Sequence, residues 1–303
     1  MLNVLSGIVG SDNVIADEPM SRHTSFRIGG PCDYFVLPHT TEEIQKLVSF
    51  CKESDIPYFI LGNGSNLLVN DTGFRGIVIS IGENYSSASV SGNTIQAKAG
   101  TKLTALSNLA CKHALTGLEF AAGIPGTVGG GIIMNAGAYG GEISQVLTSA
   151  VFMDADGQIF ERRVNELELA YRSSLPAKKA WIVLEALFML SQGSSEDISA
   201  LMKNLNARRR EKQPLEFPSA GSTFKRPEGY FAGKLISDCG LSGKSIGDAC
   251  VSPKHNGFII NTGRAKASDV LELIEYIKKC VYTKFHVELT PEVKFLGFES
   301  ADE

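Results

Sequence analysis

Hydrophobic and polar positions switch between two periods along this chain, and the switches mark its elements. Tyr34–Leu37 is a short apolar run stopped by Pro38 and reads as a strand. Thr40 and Glu43 have the spacing of a capping box, in which each side chain satisfies a backbone N–H of the other. Ile44, Leu47, Val48 and Cys51 then follow at i, i+3, i+4 and i+7, one face of a helix. Pro57 precedes a second apolar run, Tyr58–Leu61, and the loop Gly62-Asn63-Gly64-Ser65-Asn66 follows. Strand, helix and strand in that order predict a βαβ-like unit with the loop at a strand end.

Further along, Thr94–Ala99 reads as a strand, and Leu103, Leu106 and Ala110 as the inner face of a helix ending before Gly117. Asp156-Gly157 between Val151–Asp154 and Gln158–Arg162 is a hairpin signal. Trp181–Leu190 reads as an apolar strand and Gln192–Glu196 as a polar connection. Ile198, Leu201, Met202 and Leu205 form the inner face of a helix that ends in Arg208-Arg209-Arg210-Glu211-Lys212. Pro214 and Pro218 then break the chain, which reads as a domain border. A short helix ends at Gly240, and a longer one carries Val270, Leu273, Ile274, Ile277 and Val281. Val287–Phe295 reads as a closing strand.

The length, 303 residues, predicts two or three domains. With 43% hydrophobic and 20% charged residues the chain reads as a folded, soluble protein rather than a disordered one. A net charge of −4 argues against a broad nucleic-acid surface, which needs clustered excess Lys and Arg. No stretch approaches the roughly 18–20 uninterrupted apolar residues of a membrane helix, and the first residues lack the basic start of a secretory signal. The six cysteines include no C-x-x-C and read as reduced, packed thiols of a cytoplasmic protein. The five histidines are dispersed without metal-ligand spacing, so no metal site is expected.

Glycine changes the picture. Of the 31 glycines, six fall at 123, 126, 129, 130, 131 and 137, with two more at 140 and 141. Such density weakens any regular element and lets a ligand approach the backbone. Neither this tract nor the 62–66 loop ends in G-K-[ST], and no G-x-G-x-x-G opens a helix, so a P-loop and a Rossmann site are both disfavoured. Two glycine loops about 60 residues apart suggest a long diphosphate ligand gripped from two sides by backbone amides. The plain alternatives are a tight turn at 62–66 and a glycine-packed core turn at 123–141. Ser222 beside Lys225 and Arg226 is either a turn residue or a proton donor. Tyr171-Arg172, after a short helical stretch, is either a solvated helix end or a fork for a carboxylate. Lys212 and Glu292 have the appearance of ordinary surface charges.

Six segments read together narrow these choices. FRIGGPCDYFVLP at 26–38, GNGSNLLV at 62–69, GIPGTVGG…MNAGAYG at 123–140, AYRSS at 170–174, PSAGSTFKRP at 218–227 and TPEVKFLG at 290–297 resemble, in order and spacing, the UDP-N-acetylenolpyruvoylglucosamine reductase family. The resemblance implies an α+β flavoprotein of three domains, two of them the FAD-binding fold of vanillyl-alcohol oxidase type, the third a smaller α+β substrate domain. The expected division is 1–82 with 286–303, then 83–205, then 206–285. Ser222 and Glu292 lie 292 − 222 = 70 positions apart, which implies the shorter subtype without a tyrosine-bearing loop.

The implied reaction passes hydride from NADPH to non-covalent FAD and on to the enolpyruvyl group of UDP-N-acetylglucosamine-enolpyruvate. Ser222 matches the proton donor, and Arg172 and Glu292 match the residues that stabilise the enolate-like intermediate. Tyr171, Lys212 and Arg226 are expected at the substrate. The expected FAD contacts are Gly62, Asn63, Gly64, Ser65, Asn66 and Leu67 from the first loop. From the second come Gly123, Ile124, Pro125, Gly126, Thr127, Val128, Gly129, Gly130, Asn135, Ala136, Gly137 and Ala138. The implied place is peptidoglycan precursor synthesis, with a small-molecule substrate and no nucleic acid, membrane or obligate protein partner. Another FAD-dependent oxidase or dehydrogenase of the same fold would keep both glycine tracts but would not require Ser222, Arg172 and Glu292 together.

Overall fold

The computed structural model describes residues 1–298; the last five positions of the expected 286–303 segment lie outside the described residues. Contacts divide the chain into two compact units. One comprises Met1–Ala16, Tyr34–Asn63 and Gly76–Arg209, the other Asp17–Asp33, Gly64–Arg75 and the chain from Arg210 onward.

The first unit is built around two sheets. Four strands, Val14–Pro19, Pro31–Val36, Phe74–Ser80 and Tyr58–Leu61, lie in that order, of which 14–16, 34–36, 76–80 and 58–61 belong to this unit. Tyr58–Leu61 runs parallel to the strand of Ile77–Ser80, with Tyr58 opposite Ile77. Between strands, Thr41–Glu53 forms the helix that the capping box announces: Thr40 accepts the Glu43 N–H, and Glu43 reaches back to the Thr40 N–H. Its inner face is Ile44, Leu47, Val48 and Cys51, all fully buried. The second sheet is antiparallel, in the order Ile159–Arg163, Leu147–Met153, Ile182–Met189, Thr94–Lys98, Ala88–Ser91. One continuous apolar cluster joins Ile44 and Leu47 of the helix to Ile95, Phe152 and Phe188 of this sheet. The expected border at 82/83 therefore coincides with no gap in packing.

The second unit holds a four-stranded antiparallel sheet, Ser219–Ser222, Phe258–Asn261, Ala249–Val251, Ser245–Ile246. The helix Ala267–Phe285 buries Val270, Leu273, Ile274, Ile277 and Val281 in a cluster with Phe26, Leu68, Phe224 and Ile236. Its N-cap, Lys266, offers no side-chain acceptor. Asp71, from far upstream, supplies it: its carboxylate oxygens accept the Ala267 N–H at 2.7 Å and the Ser268 N–H at 3.0 Å. A carboxylate at a helix start satisfies orphan donors and faces the positive end of the dipole. Asp71→Ala is expected to lower stability by about 1–2 kcal/mol, and Asp71→Asn by less; urea denaturation followed by circular dichroism measures both.

Several expectations are corrected. The closing strand is short, Lys294–Leu296 rather than Val287–Phe295, because Pro291 lacks an N–H and the segment around it makes only an isolated bridge to Phe224. Residues 192–196 are not a plain connection. Ser191–Gln192 pairs with Leu115–Thr116, and the helix Ser195–Lys212 has already begun. On that helix Ile198, Met202 and Leu205 are buried, but Leu201 is 47% exposed. The packing border falls at Arg209/Arg210, inside the helix, upstream of Pro214 and Pro218. All six cysteines are free thiols, and burial pushes Cys32 and Cys51 up to about 11. Among the described residues no helix is long and apolar enough to cross a membrane.

Candidate functional site

In the first unit the strand Tyr58–Leu61 delivers Gly62 and Asn63 to the second glycine segment. A Cβ on Gly62 would lie 2.7 Å from Thr127 Oγ1, so only glycine permits the approach. The Asn63 Nδ2 donates to the Pro125 carbonyl at 2.8 Å. Thr127 is itself buried and caps the helix Val128–Ile133 by accepting the Gly130 N–H at 3.3 Å.

That helix was not expected in so glycine-rich a run, and packing explains it. The Val128 and Gly129 N–H groups donate to the Thr101 and Ala99 carbonyls, both at 2.8 Å. Those two amides are occupied within the protein. A Cβ on Gly129 would meet Ala99 Cβ at 3.1 Å, and one on Gly131 would meet Leu103 at 3.2 Å. These glycines serve close helix packing, while Gly123 ends the 3₁₀ helix Glu119–Gly123 and Ile124, Pro125 and Gly126 form the loop that precedes the helix. Farther on, Gly137–Ala138 pairs with Gly141–Glu142 in a two-stranded ladder, and the Ala136 N–H donates to Gly131.

The same tract carries the turn that holds Tyr171 and Arg172. Ala170 and Ser173 exchange backbone hydrogen bonds at 3.0 and 3.1 Å, which closes a tight turn around the two residues. The segment is thus a turn and not a helix end, the plainer of the two readings of these residues. Arg172 at its tip has φ of 53°, left-handed backbone that a side chain disfavours by about 1–2 kcal/mol. Such strain needs support, and two struts give it. Ser174 Oγ donates to the Ile133 carbonyl at 2.8 Å. Buried Asn135 donates to the Ala170 carbonyl at 3.4 Å and accepts the Ser144 N–H at 3.0 Å. Asn135 therefore spends its side chain on the turn. The Arg172 guanidinium lies over the Tyr171 ring, 5.1 Å from its centroid.

The second unit brings Ser222 and Glu292 together. Ser222 ends the strand Ser219–Ser222, opposite Phe258. After it, Phe224 and Pro291 form an antiparallel bridge. The Glu292 N–H donates to the Thr223 carbonyl at 2.8 Å, and the Lys225 N–H to the Thr290 carbonyl at 2.9 Å. Two residues remote in sequence thereby share one stretch of backbone pairing. Gly64, Ser65 and Asn66 belong to this unit. Asn66 Nδ2 donates to the Glu292 carbonyl at 3.0 Å, and Ser25 Oγ donates to the Ser219 carbonyl at 2.6 Å. Leu67 is buried at the start of the strand Leu67–Val69. Lys212 is the last, exposed residue of its helix. The Arg226 guanidinium lies 4.8 Å from the centroid of the exposed Phe231 ring. His255 packs edge-on against Phe258, and burial pushes its pKa down, so it is neutral at pH 7.

Residues 32–162 match the family model of an FAD binding domain. Residues 213–296 match that of the C-terminal domain of UDP-N-acetylenolpyruvoylglucosamine reductase. The chain is 52% identical to the UDP-N-acetylenolpyruvoylglucosamine reductase of Clostridium novyi (strain NT), over 98% of this chain and 96% of that one. It belongs to the UDP-N-acetylenolpyruvoylglucosamine reductase family. The reductase of Caldanaerobacter subterraneus subsp. tengcongensis is 50% identical, with 98% of each chain covered. The crystal structure of the Thermus caldophilus reductase, 33% identical, superposes with a TM-score of 0.79 over 93% of this chain and 98% of that one.

An FAD binding domain must meet a diphosphate, and the first unit of this reductase family member has a group suited to it. Among the described residues Arg209 Nε is buried with no hydrogen-bond partner, and burial pushes the guanidinium pKa down. A buried cationic donor left unsatisfied is costly unless an anion completes it. The side chain lies against Gly123: a Cβ there would be 3.2 Å from Arg209 Cδ and 3.3 Å from Nη1. The neighbouring Arg208 is turned instead onto the Tyr139 ring, 4.9 Å from its centroid. In the sequence Arg209 is one of three consecutive arginines, read as able to reach the cofactor phosphates but given no role, and its buried Nε beside a glycine supports that reading.

Proposed function

We propose that this protein reduces the enolpyruvyl group of UDP-N-acetylglucosamine-enolpyruvate to give UDP-N-acetylmuramate, with NADPH as hydride donor and non-covalent FAD as carrier. Its place would be the cytoplasmic assembly of peptidoglycan precursors. The observation that supports this reading is the Thr223–Glu292 backbone bond, which pairs the stretch just after Ser222 with the stretch that carries Glu292. The domain reading stays with it: 1–82 with 286–303, and 83–205, hold FAD, and 206–285 holds substrate.

FAD, when bound, accepts hydride from NADPH and supplies it to the substrate vinyl carbon. The protein's own groups do the rest. The Gly62-Asn63 and Gly123–Gly126 loops, with Arg209, hold the diphosphate, and Gly64–Leu67 continue the first loop along the cofactor. Arg172, Tyr171, Lys212 and Arg226 bind the anionic substrate. Arg172 favours the charge that builds toward the substrate carboxylate over the neutral olefin, which is differential transition-state stabilisation. Ser222 gives its hydroxyl proton to the carbon bearing that charge, and Glu292 holds the geometry about Ser222.

The test mixes FAD-reconstituted protein with NADPH, with and without the enolpyruvyl substrate, and follows the nicotinamide absorbance. Oxidation that depends strictly on the enolpyruvyl substrate is expected. Oxidation that depends on oxygen alone would point to another oxidase of this fold.

A further inference from the structure

Residues 286–293 lie between the long helix and the final strand without a regular element of their own. The Glu292 main chain is nevertheless fixed at both of its polar groups. Its N–H goes to the Thr223 carbonyl at 2.8 Å. Its carbonyl accepts from the Asn66 side chain at 3.0 Å. The Asn66 carbonyl also accepts the Lys294 N–H at 3.0 Å, and the next three residues pair with Lys294–Leu296 in parallel. Asn66 thus grips the chain on either side of Val293, once with its backbone and once with its carboxamide. The ladder needs only the first of these bonds.

The far end of the arrangement is rigid. Thr223 is 2% exposed, its N–H donates to Gly257 at 2.8 Å, and its Oγ1 accepts the Ile259 N–H at 3.0 Å. Asn66 is held from the other side, because the Ser25 N–H donates to the Gly64 carbonyl at 3.1 Å two residues earlier. Glu292 is therefore suspended between two anchored points, one beside Ser222 and one in the glycine loop.

We propose that Asn66 is a positioning residue for the protonation step: its carboxamide sets the Glu292 peptide, and through it the carboxyl, against Ser222. This rests on the roles given above to Ser222 and Glu292. A carboxamide suits the task because the group it must hold is a carbonyl, which needs a donor. Aspartate, of the same shape but ionised, has none. A displacement of about 1 Å at a reacting group can cost on the order of a hundredfold in rate, and a single lost strut is expected to cost less than that.

The experiment compares Asn66→Ala and Asn66→Asp with the parent holoenzyme. Flavin content is read by absorbance, the first half-reaction by anaerobic bleaching with NADPH, and the second by reoxidation with UDP-N-acetylglucosamine-enolpyruvate. Asn66 also lies in the loop given to the cofactor, so flavin content and bleaching are expected to fall somewhat as well; taken per bound flavin, reoxidation is expected to fall about tenfold further than bleaching in both variants, in kcat rather than KM. Aspartate faring as badly as alanine marks the lost donor and not lost bulk. Flavin loss in step with activity, equal slowing of both halves, or full rate in Asn66→Asp would each overturn the proposal. A parent enzyme that the enolpyruvyl substrate cannot reoxidise would instead count against the functional reading itself.

Discussion

Replacing Ser222 by alanine is expected to separate the two halves of the reaction. The variant should still bleach with NADPH, because proton donation to substrate belongs to the later step. Substrate-dependent reoxidation should fall by about 10²–10⁴, the usual contribution of a positioned general acid. A hydroxyl is a weak acid, and it serves here only if the charge it neutralises arises beside it and is held there by preorganised groups. The structure supplies such order on the serine's own side: the strand Ser219–Ser222 is hydrogen-bonded to Phe258–Asn261, and Ser25 ties down the Ser219 carbonyl at 2.6 Å. Rapid-mixing absorbance at the flavin band measures both halves. Equal loss in the two would remove Ser222 from the donor role.

The second large effect is expected from Gly64→Ala. Gly64 has φ of 58°, and a Cβ on it would lie 1.9 Å from the His23 carbonyl oxygen and 3.0 Å from Thr24 Cα. Both obstacles are backbone, so no rotamer change relieves them. Left-handed backbone costs an alanine about 1–2 kcal/mol, and moving the loop to clear the clash also breaks the Ser25 N–H bond to the Gly64 carbonyl, worth about 1 kcal/mol more. A loss of roughly 3 kcal/mol or more in unfolding free energy is expected, together with reduced flavin retention. Gly92 provides the comparison: its φ is 56° but nothing lies within 4 Å of its missing Cβ. Gly92→Ala should therefore show the backbone strain alone, about 1–2 kcal/mol, and keep its flavin. Equal losses in the two variants would mean that the clash at Gly64 is easily relieved.

Much of the fold was legible because its signals are local. The Thr40–Glu43 box, the Ile44/Leu47/Val48/Cys51 stripe and the Asp156-Gly157 turn each lie within a few residues and form as the pattern dictates. The errors share a different cause. Leu201 fits the helical period but lands on an open side, since period alone does not say how wide a buried stripe the neighbours will cover. The glycines at 129 and 131 also let a helix press on Ala99 and Leu103, a use of glycine that the density of the tract does not announce. For the site, the motifs located the segments but not what their side chains do. Asn66, Asn135 and Asp71 each satisfy backbone groups far off in sequence, and no spacing rule carries such information. Arg209, named in the sequence toward the cofactor phosphates without a reason, gains one through its burial.

The parallel pairing of Lys294–Leu296 with Leu67–Val69 also bears on how the molecule is made. A chain emerging from the ribosome exposes Leu67, Leu68 and Val69 early, whereas their partner is translated long afterwards. Through that interval the three residues are an apolar strand with an open edge, the feature that invites association between nascent chains. Long-range parallel pairing is also slow to form. Truncated or stalled products would thus lack Glu292 and expose a sticky segment at once, which makes the last strand a checkpoint on synthesis as much as a piece of the fold.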